Sequence, residues 1–225
     1  MNVSPVYLHL KELVSAEQLK QIQSLLAQAT YQDGKNTATD QAKEVKNNEQ
    51  MNVQSTEYLA VQQILLTAIN HSPLFRNAVF PKNIYPFLVS KYTSGKGYGW
   101  HVDSPLMGNM MRTDIAMTIF LNDPSEYEGG ELELQTHIGN TLYKLNAGDA
   151  ICYPCTQVHR VREVLKGERH VAVTWIESQV KDAEERNILY NLFQVMNNLK
   201  ASPTHLAEQH SLQQSYSNLL RKWSM

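Results

Sequence analysis

Residues 91–103 carry the strongest structural signal in the chain and read Lys91-Tyr92-Thr93-Ser94-Gly95-Lys96-Gly97-Tyr98-Gly99-Trp100-His101-Val102-Asp103. β-prone residues lie on both sides of a glycine-rich turn, a pattern typical of two consecutive strands. Residues i and i+2 of a strand project from the same face of a sheet. We therefore predict a strand over 98–103 that places the His101 imidazole and the Asp103 carboxylate side by side.

Further β-prone runs surround this segment, and turn-rich connectors separate them. The predicted strands cover 84–92, 98–103, 115–121, 131–135, 141–145, 150–154, 159–164 and 169–176. No helical pattern lies between them, whereas a doubly wound α/β fold requires intervening helices. Short strands at this spacing predict an antiparallel sandwich or barrel.

Helical patterns flank the predicted β region on both sides. Ser15 and Gln18 fit a capping box at the start of one helix, and apolar residues recur at helical spacing around 61–69, 188–199 and 212–223. The polar segment 31–54 is expected to be a long loop, and both an active-site lid and a plain surface loop fit its composition. We predict three regions: an N-terminal helical region (1–80) packed on the barrel, the barrel (81–180), and a C-terminal helical region (181–225).

Composition excludes several functional classes. The 225 residues include 20 basic and 22 acidic side chains, a net charge of −2, which gives no reason to expect nucleic acid as a partner. No apolar run approaches the roughly 20 residues of a membrane-spanning helix, and Met1-Asn2-Val3-Ser4-Pro5 lacks a secretory pattern. A cytoplasmic protein is expected. Cys152 and Cys155 have redox spacing, but they fall in a predicted strand and turn rather than at a helix start.

The residues that suggest chemistry are His101, Asp103 and the distant His159. Two histidines and one carboxylate form the facial triad of non-haem Fe(II) oxygenases, which leaves coordination positions open. Zinc accepts the same ligands, so these residues alone do not decide the metal. Arg169 heads an apolar strand, and its planar guanidinium suits a bidentate contact with the distal carboxylate of 2-oxoglutarate. For Arg169 considered alone, the alternative is a surface ion pair with a nearby glutamate.

The chain also resembles a known family. The segment 91–103 is similar to the metal-binding segment of Fe(II)/2-oxoglutarate dioxygenases of the prolyl 4-hydroxylase type, and the order of the later motifs is similar to that of bacterial PKHD-type hydroxylases. Those motifs are Tyr127-Glu128-Gly129-Gly130-Glu131-Leu132, Gly148-Asp149-Ala150, Tyr153-Pro154, Val158-His159-Arg160-Val161 and Gly167-Glu168-Arg169.

This resemblance implies a mainly β fold with flanking helices, built as a double-stranded β-helix (jelly-roll barrel). It implies His101, Asp103 and His159 as Fe(II) ligands, and Arg169 with Tyr92 as the binding residues for 2-oxoglutarate. It further implies O₂ as a reactant, L-ascorbate as a cofactor, and hydroxylation of a C–H bond with release of succinate and CO₂. Phe120 departs from the animal oxygen-sensing enzymes, which have a phenol at this position.

Three questions stay open from the sequence. A cupin-like metal-binding barrel, or a sensor of iron or 2-oxoglutarate without oxygenase activity, would use the same ligands. The substrate can be a protein or peptide side chain or a small iron-related metabolite. The apolar stripe that ends at Trp223 fits packing within the subunit or a homo-oligomer contact.

Overall fold

The computed structural model describes residues 7–37, 40–200 and 205–225. The predicted mainly β architecture with flanking helices is confirmed. The helices are α1 (Ala16–Gln28), α2 (Asp40–Glu44), α3 (Thr56–Asn70), α4 (Pro73–Val79), α5 (Ala183–Leu199) and α6 (Leu206–Trp223). The strands of the first half are β1 (Leu8–Leu10), β2 (Tyr31–Asp33), β3 (Lys46–Asn47), β4 (Glu49–Met51), β5 (Pro81–Ile84), β6 (Leu88–Thr93), β7 (Gly97–His101) and β8 (Leu106–Met107). Those of the second half are β9 (Met111–Arg112), β10 (Ile115–Phe120), β11 (Tyr127–Gly129), β12 (Leu132–Thr136), β13 (Gly139–Tyr143), β14 (Ala150–Pro154), β15 (His159–Val161) and β16 (Val164–Ser178).

Two antiparallel sheets form the barrel. The major sheet has the strand order β1-β14-β10-β16-β6-β4-β2, and β5 and β11 also pair with β16. The minor sheet has the order β13-β12-β15-β7-β3. β16 pairs with β10 on one side and with β6 on the other, so it is a central strand of the major sheet.

Alternate residues of the major sheet enter two different cores. On β16, Val171 and Trp175 face the barrel interior and belong to an apolar cluster that we call the inner core. Ala172 and Ile176 face the opposite way and belong to the outer core, which packs the sheet against α1, α3 and α4. The period of two along a strand therefore divides one sheet between two apolar environments.

The flanking helices form where the sequence pattern predicts them. Ser15 caps α1 and makes the predicted capping box with Gln18. α3 buries Val61, Leu65 and Ile69 in the outer core. Among the described residues, no helix is long and apolar enough to cross a membrane.

The segment 31–54 is not the long loop that its composition predicts. It contains β2, one turn of 3-10 helix at Gly34–Thr37, α2, β3 and β4. β3 pairs with β7 in the minor sheet and β4 pairs with β6 in the major sheet, so the segment connects the two sheets. The prediction was wrong because backbone pairing to a sheet edge satisfies polar strands without an apolar pattern.

The connector expected between the predicted strands 159–164 and 169–176, at Lys166-Gly167-Glu168, is also not a break in the sheet. These residues lie inside β16, which is much longer than the predicted strand 169–176. Gly167 has a φ of +77°, and a Cβ atom there would lie 2.2 Å from the Glu126 carbonyl oxygen. Glycine thus allows β16 to continue past β11 where a side chain would clash.

Candidate metal centre

Three side chains with metal-binding groups converge inside the barrel. His101 is the last residue of β7 and lies opposite His159 of β15 in the antiparallel pair. Asp103 follows two residues later, beyond the end of β7 rather than within the predicted strand. One ligand atom from each residue lies within 4.8 Å of the others. The structure therefore brings together all three residues predicted as metal ligands.

Backbone carbonyl groups orient both imidazoles. The Nδ1 atom of His101 lies 2.8 Å from the Gly99 carbonyl oxygen, and that of His159 lies 2.9 Å from the Gln157 carbonyl oxygen. A carbonyl oxygen only accepts, so Nδ1–H donates in each case and Nε2 keeps its lone pair for a metal. Burial, and then the neighbouring His159, lower the pKa of His101 to about 3. His101 is thus neutral, as a metal ligand must be.

The Asp103 carboxylate is buried, and the groups around it do not offset its loss of contact with water. Its side chain is 6% exposed, and Oδ1 lies 3.9 Å from His159 Nε2. Its Oδ2 atom makes no hydrogen bond of good geometry with the described residues. Burial raises the pKa of Asp103, and this outweighs the opposite effects of His159 and the Trp175 indole. A cation beside two neutral imidazoles would compensate this buried oxygen, so the donor set fits Fe(II).

Arg169 lies deep in the same cavity, with its guanidinium largely unpaired. The residue is 1% exposed, and its Nε and Nη1 atoms have no hydrogen-bond partner among the described residues. The guanidinium carbon is 5.1 Å from the Tyr92 ring centroid and 5.6 Å from that of Phe120. The alternative of a surface ion pair is therefore wrong, and the two free N–H groups fit a carboxylate ligand.

Tyr92 and Gly130 shape the surroundings of this arginine. Tyr92 lies opposite Arg169 in the β6–β16 register, and burial raises the pKa of its phenol although the Arg169 charge lowers it. Gly130 has a φ of +68°, and a Cβ atom there would lie 3.1 Å from Arg169 Cδ. The Gly129-Gly130 motif thus leaves room for the arginine side chain.

One cavity of about 300 Å³ contains the triad, Arg169 and Tyr92. It is also lined by residues that the sequence analysis did not assign to the site, namely Lys46, Asn48, Gln50, Tyr153 and Trp175. The first three come from the segment expected to be a loop. Their spacing of two residues was a signal of a strand with one polar face, but no apolar residue alternates with them between Lys46 and Gln50.

Cys152 and Cys155 play no part in this site. Both thiols are free and buried, and burial strongly raises their pKa values. A thiol that stays protonated is a poor nucleophile and a poor metal ligand. These residues contribute apolar packing to the outer and inner cores, respectively.

The sequence of this chain is similar to those of known proteins. Residues 87–177 match the family model described as the 2OG-Fe(II) oxygenase superfamily. The chain is 42% identical to a PKHD-type hydroxylase of Thermosynechococcus vestitus over 220 residues, which cover 96% of this chain and 98% of that protein.

Two solved structures have a similar fold. One is the prolyl hydroxylase of Trichoplax adhaerens, in complex with a hypoxia inducible factor oxygen degradation domain peptide fragment, with a TM-score of 0.60, 13% identity, and coverage of 83% of this chain and 87% of that chain. The other is a viral collagen prolyl hydroxylase from Paramecium Bursaria Chlorella virus-1 in its 2OG complex, with a TM-score of 0.54, 19% identity, and coverage of 77% and 96%. The predicted double-stranded β-helix is confirmed.

Proposed function

We propose that His101, Asp103 and His159 hold Fe(II) in this protein. The premise is that the chain belongs to the PKHD-type hydroxylases of the 2OG-Fe(II) oxygenase superfamily. We further propose that Arg169 and Tyr92 bind the distal carboxylate of 2-oxoglutarate. The protein is a 2-oxoglutarate-dependent dioxygenase, and its substrate is proposed to be a protein or peptide side chain or a small iron-related metabolite. Bound Fe(II) supplies the redox chemistry that couples decarboxylation of 2-oxoglutarate to hydroxylation of a C–H bond, with release of succinate and CO₂.

The observation that carries the assignment is the pair of buried, uncompensated charges in one cavity. Among the described residues, Asp103 Oδ2 makes no hydrogen bond of good geometry at one position, and Arg169 Nε and Nη1 make none at another. Buried polar groups in folded proteins are nearly always hydrogen-bonded, so unpaired charges indicate missing ligands. A cation beside Asp103 and a carboxylate beside Arg169 would satisfy both.

The residues around these charges have distinct tasks. His101 and His159 supply neutral nitrogen donors, so the triad contributes a single negative charge and leaves part of the metal's coordination sphere open. Arg169 holds a carboxylate through two parallel N–H groups. The Tyr92 ring lies 5.1 Å from the guanidinium carbon, and its phenol is proposed to donate a further hydrogen bond to that carboxylate. Phe120 offers an apolar ring beneath the guanidinium, which excludes water and strengthens the ion pair. Because residue 120 is a phenylalanine and has no phenol, we assign more of the binding of 2-oxoglutarate to Arg169 and Tyr92.

Two finer proposals accompany this function. L-ascorbate is proposed to return the iron to Fe(II) after turnovers that fail to hydroxylate a substrate. The region 81–180 is proposed to form the catalytic barrel, with 1–80 and 181–225 packed on it. Addition of ascorbate to enzyme that has lost activity during turnover should restore succinate formation, and a failure to restore it would reject the first of these.

Anaerobic spectroscopy tests the cosubstrate site directly. Fe(II)-loaded protein titrated with 2-oxoglutarate should develop a weak visible charge-transfer band. Arg169→Met should weaken 2-oxoglutarate binding by about 100-fold, because two charge-assisted hydrogen bonds are lost, and should leave Mn(II) affinity unchanged. Arg76→Met, at an exposed helical arginine, is the matched control. Absence of the band in folded, iron-loaded protein would overturn the proposal.

Succinate measurements separate the oxygenase from the two alternatives. A cupin-like barrel or a sensor has no reason to form succinate over many turnovers. Aerobic incubation with Fe(II) and 2-oxoglutarate should yield several equivalents of succinate per protein, and fractions that contain the substrate should raise that rate. Mass spectrometry of those fractions should then find a product heavier by one oxygen atom.

A further inference from the structure

The segment that connects the two sheets also forms one wall of the cavity. Lys46 pairs with Tyr98 in the minor sheet, whereas Gln50 pairs with Ser90 in the major sheet. The side chains of Lys46, Asn48 and Gln50 all line the cavity that contains the metal triad. None of the three is among the proposed metal or 2-oxoglutarate ligands, so their presence in this wall requires another explanation.

Lys46 is a buried cation without an anionic partner at contact distance. The residue is 5% exposed, and its Nζ donates a 2.9 Å hydrogen bond to Thr37 Oγ1. Among the described residues, no carboxylate lies within ion-pair distance of this ammonium group. Desolvation of a lone ammonium group is costly, so a partner is expected where the group is retained.

The Lys46 ammonium group lies near the metal centre, with the Tyr98 ring between them. Lys46 Nζ lies 5.5 Å from the Tyr98 ring centroid, and the Tyr98 ring stacks on His101 with a centroid separation of 3.7 Å. Thr37 Oγ1 lies 2.7 Å from Gln50 Oε1 and donates to it. This leaves the Thr37 oxygen free to accept from Lys46, so the ammonium group is held in place beside the site.

The charges in the cavity leave one positive charge in excess. Among its described lining residues, Lys46, Asp103 and Arg169 are charged. The charges of Asp103 and Arg169 cancel, and those of Fe(II) and 2-oxoglutarate cancel as well. Lys46 then remains. Burial lowers the pKa of Lys46 to about 8, and Asp33 and Asp103 oppose that shift, so the group is mainly protonated near neutral pH.

Asn48 gives an independent indication of a ligand in the same place. It is 3% exposed, and neither its Nδ2 nor its Oδ1 atom has a hydrogen-bond partner of good geometry among the described residues. The Tyr92 phenol is a polar neighbour: burial raises the pKa of that phenol, and Arg169 and then Asn48 act to lower it. No hydrogen bond of good geometry joins the phenol and the amide among the described residues, so the buried amide is under-satisfied. Its N–H₂ group is a second buried hydrogen-bond donor in the cavity wall that contains Lys46.

We propose that Lys46 and Asn48 form a subsite for a single carboxylate group of the organic substrate. This assignment rests on the proposed function, because the charge balance assumes Fe(II) and 2-oxoglutarate in the cavity. A singly charged carboxylate matches the one excess positive charge and the adjacent amide donor. The substrate class is therefore a small acid, or a residue that carries a free carboxylate, hydroxylated at a carbon near that group.

Binding of matched acids and amides tests the subsite without knowledge of the substrate. The probes are N-acetyl L-amino acids with uncharged side chains, each paired with its carboxamide. The protein carries redox-stable Mn(II) and saturating 2-oxoglutarate, so that Arg169 is already occupied. Saturation-transfer NMR with competition titrations should show that the best-bound acid binds at least about tenfold more tightly than its amide.

Variants assign the preference to Lys46. Lys46→Met should reduce the affinity for the acid to that for the amide, while Lys46→Arg should keep most of the preference. Asn48→Asp has nearly the same shape and should abolish the preference by charge repulsion, which provides a second test if Lys46→Met fails to fold. Lys43→Met, at an exposed lysine three residues earlier, should behave as the wild type.

Several results would overturn the subsite. These are equal affinities for acids and amides, no binding by any pair, or a preference that persists in Lys46→Met and Asn48→Asp. A loss of 2-oxoglutarate affinity in Lys46→Met would assign Lys46 to the cosubstrate and also reject the subsite. Failure of the proposed function is distinguishable, because the wild-type protein would then show no charge-transfer band with Fe(II) and 2-oxoglutarate.

Discussion

The two faces of the major sheet have the same strands but opposite polar character. On its outer face, residues such as Ile119, Ala172 and Ile176 pack against helices in a continuous apolar core. On its inner side lie buried polar atoms that make no hydrogen bond of good geometry within the part of the chain that the structure describes, in Asn48, Asp103, Tyr127, Arg169 and Trp175. Among the described residues with such atoms, His170 is the exception, because it lines a separate surface pocket.

The outer face of the major sheet therefore contributes to folding stability, and its inner side contributes to ligand binding. Apolar burial on the outer face contributes favourable free energy without any ligand. The unpaired charges on the inner side reduce that stability and become favourable when ligands bind. Mutations on the outer face should therefore affect folding, and mutations on the inner side should affect binding.

The largest expected effect is on folding and comes from the outer core. Phe75 in α4 is fully buried there. Phe75→Ala should lower the free energy of unfolding by about 3–5 kcal/mol, because it removes buried surface and leaves a cavity. Urea denaturation measures this loss. The folded fraction should bind Mn(II) and 2-oxoglutarate with wild-type affinity, and a large loss of either affinity would show that the two faces are coupled.

The next effect is on metal binding and comes from the inner side. Asp103→Asn keeps the shape of the side chain but removes its charge. The dissociation constant for Mn(II) should rise by about 100-fold or more, as measured by isothermal titration calorimetry. Urea denaturation of the metal-free variant should show equal or greater stability than the wild type, since an uncompensated buried carboxylate is removed. Unchanged metal affinity would exclude Asp103 as a ligand.

The same contrast explains what the sequence could predict. The major strands were predictable because alternating apolar residues serve both cores, as in 115–121 and 169–176. His101, Asp103 and His159 could be predicted as metal ligands because their residue types and order are typical of a two-histidine, one-carboxylate triad. The resemblance added Tyr92 and the double-stranded β-helix.

The wall formed by Lys46, Asn48 and Gln50 could not be predicted in this way. Its strands are two and three residues long, and edge pairing to β7 and β6 holds them. Pairing of this kind depends on backbone groups brought together by the tertiary fold, and these groups leave no signal in residue type. The polar composition that suggested a loop instead reflects side chains that face a ligand cavity.

A smaller effect is expected at Phe120, beneath the Arg169 guanidinium. Phe120→Tyr adds a phenol to a side chain whose ring centroid lies 5.6 Å from the guanidinium carbon. The 2-oxoglutarate affinity should increase by about 3- to 10-fold, the value of one added hydrogen bond, as measured by anaerobic titration of the visible band. Phe193→Tyr, at a residue packed against the outer core, should leave this affinity unchanged. A loss of affinity in Phe120→Tyr would indicate that the cosubstrate binds elsewhere.

The last effect concerns Glu133, a buried carboxylate whose hydrogen-bond donors are side chains of this chain. It lies in β12, where Arg160 Nε and Arg162 Nε each donate to its Oε2 atom at 2.7 Å, and Asn140 Nδ2 donates to Oε1 at 2.8 Å. Hydrogen bonds from Arg162 and then Arg160 and Asn140, against the opposing effect of burial, lower the pKa of Glu133 to about 2. Unlike Arg169 and Lys46, this group should therefore stabilise the fold without a ligand.

The pH dependence of unfolding tests this contrast. A carboxyl group with a lowered pKa in the folded state contributes its full stability above its unfolded pKa, near 4.3, and loses it as the pH falls towards the folded value. Glu133→Gln should thus be less stable than the wild type at pH 7, and the difference should shrink between about pH 4.5 and pH 2. Urea midpoints across this range measure it. A difference that stays constant with pH would mean that Glu133 stabilises the minor sheet by its shape and not by its charge.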